Sequence, residues 1–210
     1  MKHCDVPTEM SDARTLAFYD EHAAGYATRA PHDRDVAALE AFMGLLPGGG
    51  LVCDLGCGNG WASATLIERG FAVTSMDGSA GLAAEAKALY GIDVCVSRFE
   101  DFAFRAAFDG VWACWSLHHA PRAAFPELLQ RVAAGVKPGG VLFFSVKGGS
   151  GEDRDELERF YSYFTREELR DLIGRFLPGD IIAHESWEAP CFTGKATPLH
   201  HVFVRLHAGA

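Results

Sequence analysis

The chain alternates between two patterns of apolar residues. Residues 51–55, 71–76, 109–115 and 141–146 are nearly continuous apolar runs, the mark of strands buried on both faces. Between them apolar residues recur every three or four positions, as on one face of a helix. The spacing predicts a helix over 11–30, with Leu16, Phe18, Tyr19 and Tyr26 as its large positions, ended by Pro31. A second helix follows, capped by Asp33 or Asp35 and carrying Val36, Leu39, Met43 and Leu46. Pro47 and the glycines at 48–50 break the chain before the first strand. After that strand a helix runs to about Arg69 and stops at Gly70. The second strand ends at Asp77. Gly78 and Ser79 then open a helix with Leu82, Ala83, Ala86 and Leu89 inward, ended by Gly91. Residues 92–96 read as a third strand, and 109–115 as a fourth that is apolar enough to be central.

Downstream, 118–121 reads as a loop, followed by a helix with Phe125, Leu128, Leu129 and Val132. Lys137-Pro-Gly-Gly140 is a turn signal before the fifth strand. Thr165-Arg-Glu-Glu168 is a capping box opening a helix through Leu169, Leu172 and Ile173. Ile181 and Ile182, with Ser186-Trp187, predict a sixth strand, 189–199 a loop, and 201–206 a seventh strand. Five strands alternating with helices call for a parallel, doubly wound α/β sheet of Rossmann-like type. The last two, with no helix between them, call for an antiparallel hairpin at one edge. One domain over 1–210 is expected, with an N-terminal helical lid (1–47), a ligand-binding core (48–150) and a substrate-side helix and hairpin (151–210).

Composition narrows the function. The net charge is −9 and the pI about 5.4, which disfavours nucleic acid as a partner. No apolar run approaches the roughly 20 residues of a membrane span, and the N-terminus lacks a signal-peptide segment; a cytoplasmic protein is expected. Of the six cysteines, Cys53, Cys95 and Cys114 lie in apolar runs, where cysteine acts as a small hydrophobe. There is no CxxC pair, so neither a metal site nor disulfides are expected. His200-His201 gives no metal site either, since no further ligands cluster nearby.

The strongest chemistry lies in Asp54-Leu-Gly56-Cys57-Gly58-Asn59-Gly60-Trp61. A strand, a glycine-rich turn and a helix start open a nucleotide-binding unit, where a ligand lies against backbone and N–H groups point at it. A dinucleotide site has GxGxxG; here Trp61 stands where its last glycine would fall, and Asp54 precedes the turn. A carboxylate suits a ligand that carries positive charge. An unpaired buried Asp54 would cost several kcal/mol or neutralise, so packing alone does not account for it.

This set resembles the class I S-adenosylmethionine-dependent methyltransferases. The resemblance runs over residues 50–150 and rests on Asp54 to Gly60, Asp77, Phe108 to Cys114, Leu117-His118-His119 and Lys137-Pro-Gly-Gly140. Phe18-Tyr19-Asp20, Tyr26 and Phe164 to Leu169 look like the small-molecule branch, with the tellurite-resistance and thiopurine-type enzymes. The resemblance implies S-adenosylmethionine as cofactor and a small-molecule methyl acceptor with a sulfur, selenium, tellurium, nitrogen or oxygen nucleophile. It puts Gly56, Cys57, Gly58, Asn59, Gly60 and Trp61 along the methionine and ribose, with Asp54 near the ammonium group. Asp77, with Gly78 and Ser79, would hold the ribose hydroxyls. Phe99 and Glu100 would meet the adenine, Arg98 standing where the family often has an acid. Cys114 and Trp115 would line the methionine side, and Tyr19 and Tyr26 would close over the cofactor. His118 and His119 are the candidate general bases, and Lys147 is either solvated or a substrate contact. The entrance is expected from 1–30, 115–122, 147–164 and 188–199, with Phe160, Tyr161, Tyr163 and Phe192. Two other readings stay open: a non-catalytic cofactor-binding sensor or scaffold, and a nicotinamide-dependent oxidoreductase, which Trp61 disfavours.

Overall fold

The computed structural model describes residues 9–190 and 196–208; Cys4, Cys191 and Phe192 lie outside them. The helices α1 (Ala13–Glu21), α2 (Ala23–Ala27) and α3 (Asp33–Gly44) come first. The single helix expected over 11–30 is broken at His22. Its Nδ1 donates to the Phe18 carbonyl at 2.9 Å, and a side chain that bonds the backbone competes with the helical ladder. α3 is capped by neither Asp33 nor Asp35. The His32 Nδ1 accepts from the Arg34 N–H, and the two aspartates sit in the first turn, where the helix dipole favours negative charge.

The sheet is built by β1 (Leu51–Leu55), β2 (Ala72–Asp77), β3 (Cys95–Val96), β4 (Phe108–Ala113), β5 (Val136–Lys147), β8 (Gly179–Pro190) and β9 (Ala196–Leu206). Its order is β3-β2-β1-β4-β5-β9-β8. The first five strands run parallel, and β9 and β8 add antiparallel at one edge. The helices α4 (Trp61–Glu68), α5 (Ala80–Tyr90) and α6 (Phe125–Gly135) connect the parallel strands. The fold is thus the doubly wound, Rossmann-like sheet of seven strands that the patterning predicts, with β4 at its centre. Chain order reverses between β1 and β4, and ligand crevices open at such points beyond the C-terminal strand ends.

Several boundaries differ from the expectation. β3 keeps two residues, and both are exposed, so Cys95 is an edge thiol and not a core residue. Leu89 is exposed as well, while Leu82 and Ala86 of α5 are buried. The Lys137 to Gly140 segment does not separate α6 from a strand. It is an irregularity inside β5, between the Phe108↔Val136 and Gly110↔Val141 pairs, held by Lys137 Nζ on Asp109 at 2.9 Å. The loop expected over 189–199 is shorter, because Ala189↔Thr197 and Pro190↔Ala196 are paired. A small hairpin of β6 (Glu152–Arg154) and β7 (Phe160–Ser162) was not predicted; its three-residue strands are too short for alternation to register. The capping box at Thr165 and Glu168 forms as expected and starts α7 (Arg166–Phe176).

Apolar layers cover both faces of the sheet. On one, Phe125, Leu128 and Val132 of α6 pack with Phe144, Phe164 and Leu169. On the other, Leu39 and Phe42 of α3 and Leu66 of α4 pack on Trp112, Phe143 and Phe203. Trp112 stacks on Phe143 with 3.9 Å between ring centroids. Burying a large side chain is worth about 1.5–3 kcal/mol, so these layers hold the strand ends that carry the site.

Candidate active site

A cavity of about 510 Å³ opens at the strand-order reversal. Its first half is mostly backbone. The Gly56 and Cys57 N–H groups donate to the Met76 carbonyl at 2.8 and 3.0 Å, which folds the turn back onto β2. Gly56 lies at φ 77°, and a Cβ there would fall 2.3 Å from the Ser116 Cβ. Gly58, at φ 56°, is different: a Cβ there meets nothing within 4 Å on the cavity wall. Gly60 does not line the cavity. A Cβ there would stand 3.0 Å from the Ala86 Cβ, so this glycine serves the packing of the α4 start on α5.

Asp77 does line the cavity. Its Oδ2 accepts from the Gly58 N–H and its Oδ1 from the Ser79 N–H, both at 2.8 Å. Burial raises its pKa against the pull of those two donors. A carboxylate offers about four acceptor sites, so both oxygens retain capacity for ligand hydroxyls. Ser79 is set back from the cavity as the α5 cap. Gly78 lines it and lies under α1: a Cβ there would meet Leu16 Cδ2 at 2.6 Å.

Asp54 does not reach the cavity. It is 1 % exposed, behind the turn, and accepts from Ser63 Oγ at 2.6 Å. Burial pushes its carboxyl up to about 7, with Ser63 opposing and the Asp77 charge adding. Glu100 is also turned away from the adenine role. Its Oε1 accepts from the Met10 and Ser11 N–H groups and its Oε2 from Ser11 Oγ, so it ties down the segment before α1. Phe99 lines the cavity, but its N–H is bonded to Ser11 Oγ at 3.1 Å. Cys57, Asn59 and Trp61 line it. Asn59 Nδ2 donates to the Ala27 carbonyl and joins α2 to the turn. Burial pushes the Cys57 and Cys114 thiols far up, which keeps them protonated.

The second half of the cavity is made of side chains. Cys114 and Trp115 follow β4. Trp115 lies at φ 54°, a region that costs a bulky residue about 1–3 kcal/mol; its N–H donates to Ser145 Oγ at 2.7 Å. His118 and His119 are both buried, and burial holds both neutral. His118 falls well below its usual range, and His119 to about 4. Their bonds separate their chemistry. His118 Nδ1 accepts from the Lys147 N–H at 3.3 Å, so its proton is on Nε2. His119 Nδ1 lies 2.7 Å from the Phe160 carbonyl; a carbonyl only accepts, so Nδ1 carries the proton. Its Nε2 therefore accepts from the Tyr19 hydroxyl at 3.1 Å. His119 has its lone pair on the cavity side, and His118 does not.

Tyr19, Tyr26 and Tyr161 surround Arg159, which is 3 % exposed. Arg159 pairs with Asp155 and donates to Tyr26 Oη. Lys147 Nζ sits 3.3 Å from the Tyr161 ring centroid. The sequence reading missed Arg159, Ser11 and Thr15, and weighed His201 only as a metal ligand. It saw Asp35 only as a helix cap, yet Asp35 lines this half. Further contacts hold α1 to the rest of the chain. Arg154 pairs with Asp12 at 2.7 Å, Thr15 Oγ1 accepts from the Phe160 N–H, and Asp20 Oδ1 accepts from Ser79 Oγ. Burial works against the Asp12 charge, but Arg154 and Thr15 hold its carboxyl down at about 2. Among the described residues no group of three or more His, Cys, Asp or Glu could hold a metal ion. No described helix is long and apolar enough to cross a membrane.

Residues 52–140 match the family model of a methyltransferase domain. A curated relative, the ubiquinone biosynthesis O-methyltransferase of Caulobacter vibrioides, is 33 % identical over 145 residues, or 66 % of this chain and 53 % of the relative. The chain thus spans about half the length of that relative. Among solved structures, the fold matches the 1,6-didemethyltoxoflavin-N1-methyltransferase of Burkholderia thailandensis, bound to 1,6-didemethyltoxoflavin and S-adenosylhomocysteine. That match has a TM-score of 0.64 and 22 % identity and covers 98 % of each chain. TehB from Haemophilus influenzae matches at a TM-score of 0.68 and 17 % identity, over 90 % of this chain and 67 % of that one. The likeness to a methyltransferase domain thus lies over residues 52–140, and the fold is one shared with solved methyltransferases.

Proposed function

We propose that the chain is an S-adenosylmethionine-dependent methyltransferase acting on a small-molecule nucleophile, by displacement in line with the carbon–sulfur bond. The observation that carries this reading is one cavity with two unlike halves: the Gly56–Gly58 turn with Asp77, and a wall of histidine, tyrosine and tryptophan. The residues of the first half fit the cofactor. The open face of Gly58 admits a ligand against backbone, and Asp77 has acceptor capacity for two vicinal hydroxyls. Trp61 and Cys114 supply apolar surface beside it. When bound, S-adenosylmethionine supplies a methyl group on a positively charged sulfur, open to attack by a lone pair.

The protein's own task is to position the acceptor and take its proton. A neutral amine or hydroxyl becomes strongly acidic as it gains a methyl group, so a weak base suffices. The proton passes to Tyr19 Oη, while the tyrosine's own proton passes to His119 Nε2, which ends as an imidazolium held by the Phe160 carbonyl. His118, whose Nδ1 lone pair is engaged by the Lys147 N–H, orients and does not accept. A small molecule suits a cavity of about 510 Å³ closed by α1 and α2. The net charge of −9 disfavours nucleic acid. Free thiols at Cys53, Cys57, Cys95 and Cys114 fit a reducing compartment such as the cytoplasm. The oxygen- and nitrogen-methylating names of the two similar proteins support an acceptor of that kind, within a small-molecule branch.

The test is mass spectrometry of a cell extract supplied with the protein and methyl-labelled S-adenosylmethionine. Labelled small molecules, formed with S-adenosylhomocysteine, are expected. Binding of the cofactor without label transfer would instead make the protein a sensor or scaffold.

A further inference from the structure

Asp35 is a buried carboxylate that the methyl-transfer chemistry above does not use. It lies in the first turn of α3, is 6 % exposed, and lines the cavity. Two N–H donors from distant parts of the chain converge on it. Trp115 Nε1 donates to Oδ2 at 3.0 Å, and His201 Nε2, in β9, donates to Oδ1 at 2.9 Å. His201 has no exposed surface, and its Nδ1 is buried with no hydrogen-bond partner. The imidazole is therefore held through Nε2 alone, and that nitrogen faces Asp35.

A purely architectural role, tying α3 to the sheet, accounts poorly for this arrangement. Leu39 and Phe42 already anchor α3 in the core. A buried carboxylate is an expensive tether where an apolar contact would serve. Trp115 also adopts a positive φ that bulky residues rarely take, and from that conformation its indole N–H reaches Asp35. Two donors leave part of the acceptor capacity of the carboxylate unused. Asp35 also belongs to the acceptor half. The Trp115 ring lies 6.0 Å from His118, and His118 lies 4.6 Å from His119.

We infer that Asp35 is a specificity-determining residue that selects methyl acceptors presenting an N–H or O–H group. Amines and hydroxyl compounds, phenols among them, donate to the carboxylate. Thiolates and other soft anions are repelled by it, since like charge in a buried site is strongly unfavourable. Trp115 and His201 are positioning residues: Trp115 holds the carboxylate from the cavity wall, and His201 holds it from behind. The inference rests on the methyltransferase reading and narrows its acceptor class.

The experiment uses a phenol, an aniline and a thiophenol that share one ring, with wild type, Asp35→Asn and Trp115→Phe. Each is assayed for kcat/KM with S-adenosylmethionine and titrated with S-adenosylhomocysteine. Wild type is expected to prefer the phenol or aniline. Asp35→Asn should lower their kcat/KM by about tenfold or more, the loss of a hydrogen bond to a charged group, and raise that of the thiophenol severalfold by removing the like charge. Trp115→Phe should move the same ratio by less. A structural role would lower all three acceptors alike and leave the ratio unchanged, which overturns the inference. So does a preference for the thiophenol, turnover of none of the three, or a loss of S-adenosylhomocysteine affinity in Asp35→Asn that matches the loss of rate. Failure of wild type to bind S-adenosylhomocysteine overturns the methyltransferase reading itself.

Discussion

The two halves of the cavity are built by different means. The half proposed for the cofactor comes from contiguous segments: the turn after β1, the end of β2 and the 3₁₀ turn that holds Phe99. Its groups are mostly backbone N–H and one carboxylate, placed by parallel strands that end side by side. The half proposed for the acceptor draws Tyr19 from α1, Asp35 from α3, His119 from the turn after β4 and Arg159 from before β7, with His201 of β9 behind Asp35. A site made of backbone is fixed by local sequence, because glycine spacing determines it. A site made of side chains is fixed by tertiary packing, which local sequence does not display.

The sharpest break of the cofactor half is Gly56→Ala. The new Cβ would overlap Ser116 and hold a left-handed conformation. Overpacking and backbone strain together cost about 3–5 kcal/mol, and both the melting temperature and cofactor binding should collapse. Gly58→Ala is the control within the same turn. It meets no protein atom, so stability should fall by only about 1–2 kcal/mol, while cofactor affinity falls through contact with the ligand. Equal loss of stability in both variants would mean that the turn has no open side.

The acceptor half is tested by Tyr19→Phe. General-base assistance contributes about a hundredfold or more, so kcat should fall to that extent with S-adenosylhomocysteine affinity unchanged. Stopped-turnover assays and calorimetry separate the two. His119 should remain neutral, with the proton on Nδ1, down to about pH 4. Nitrogen-15 NMR across pH 4–8 reads this directly, and a midpoint near 6.5 would contradict it. The sign for stability follows from burial. The unfolded chain protonates this histidine first, so its contribution is lost as pH falls from about 6.5 toward about 4.

Asp54 behaves in the opposite sense. Its folded pKa, about 7, lies well above the ordinary range of an aspartate, so the folded protein retains a proton that the unfolded chain releases. Its contribution to stability falls as pH rises from about 4 to about 7. Between pH 5 and pH 8 the ligand-free protein should lose about 2.5 kcal/mol through this group. Asp54→Asn should remove that slope, as chemical denaturation at the two pH values would register. The smallest effect is expected at the start of α1. Asp12→Asn weakens a partly buried pair with Arg154 and should cost about 1 kcal/mol, seen as faster cofactor release.

The same contrast explains how much was legible in the sequence. The sheet, its central β4 and its edge hairpin followed from apolar runs and glycine punctuation. So did the turn at Gly56 and the carboxylate at Asp77. Errors gathered where one signal has two uses. Glu100 has the composition of an adenine contact, but Ser11 and Met10 occupy its oxygens from 89 and 90 residues away. Gly60 has the spacing of a ligand glycine, yet it serves helix packing. Asp54 was legible as buried and unusual; its place behind the turn was not. His118 and His119 were indistinguishable by sequence, because only Lys147 and Phe160 settle where each proton resides. Arg159 gave no signal beyond an arginine followed by aromatics, since its meaning lies in Tyr19 and Tyr26.

The central claim is that the turn at Gly56 and the carboxylate at Asp77 form one cofactor site. Isothermal titration of S-adenosylmethionine into wild type and Asp77→Ala tests it most directly. Single-site binding to wild type is expected. Asp77→Ala should bind at least about tenfold more weakly, as for lost hydrogen bonds to a charged group. No heat of binding in wild type, or equal affinity in the two proteins, would contradict it.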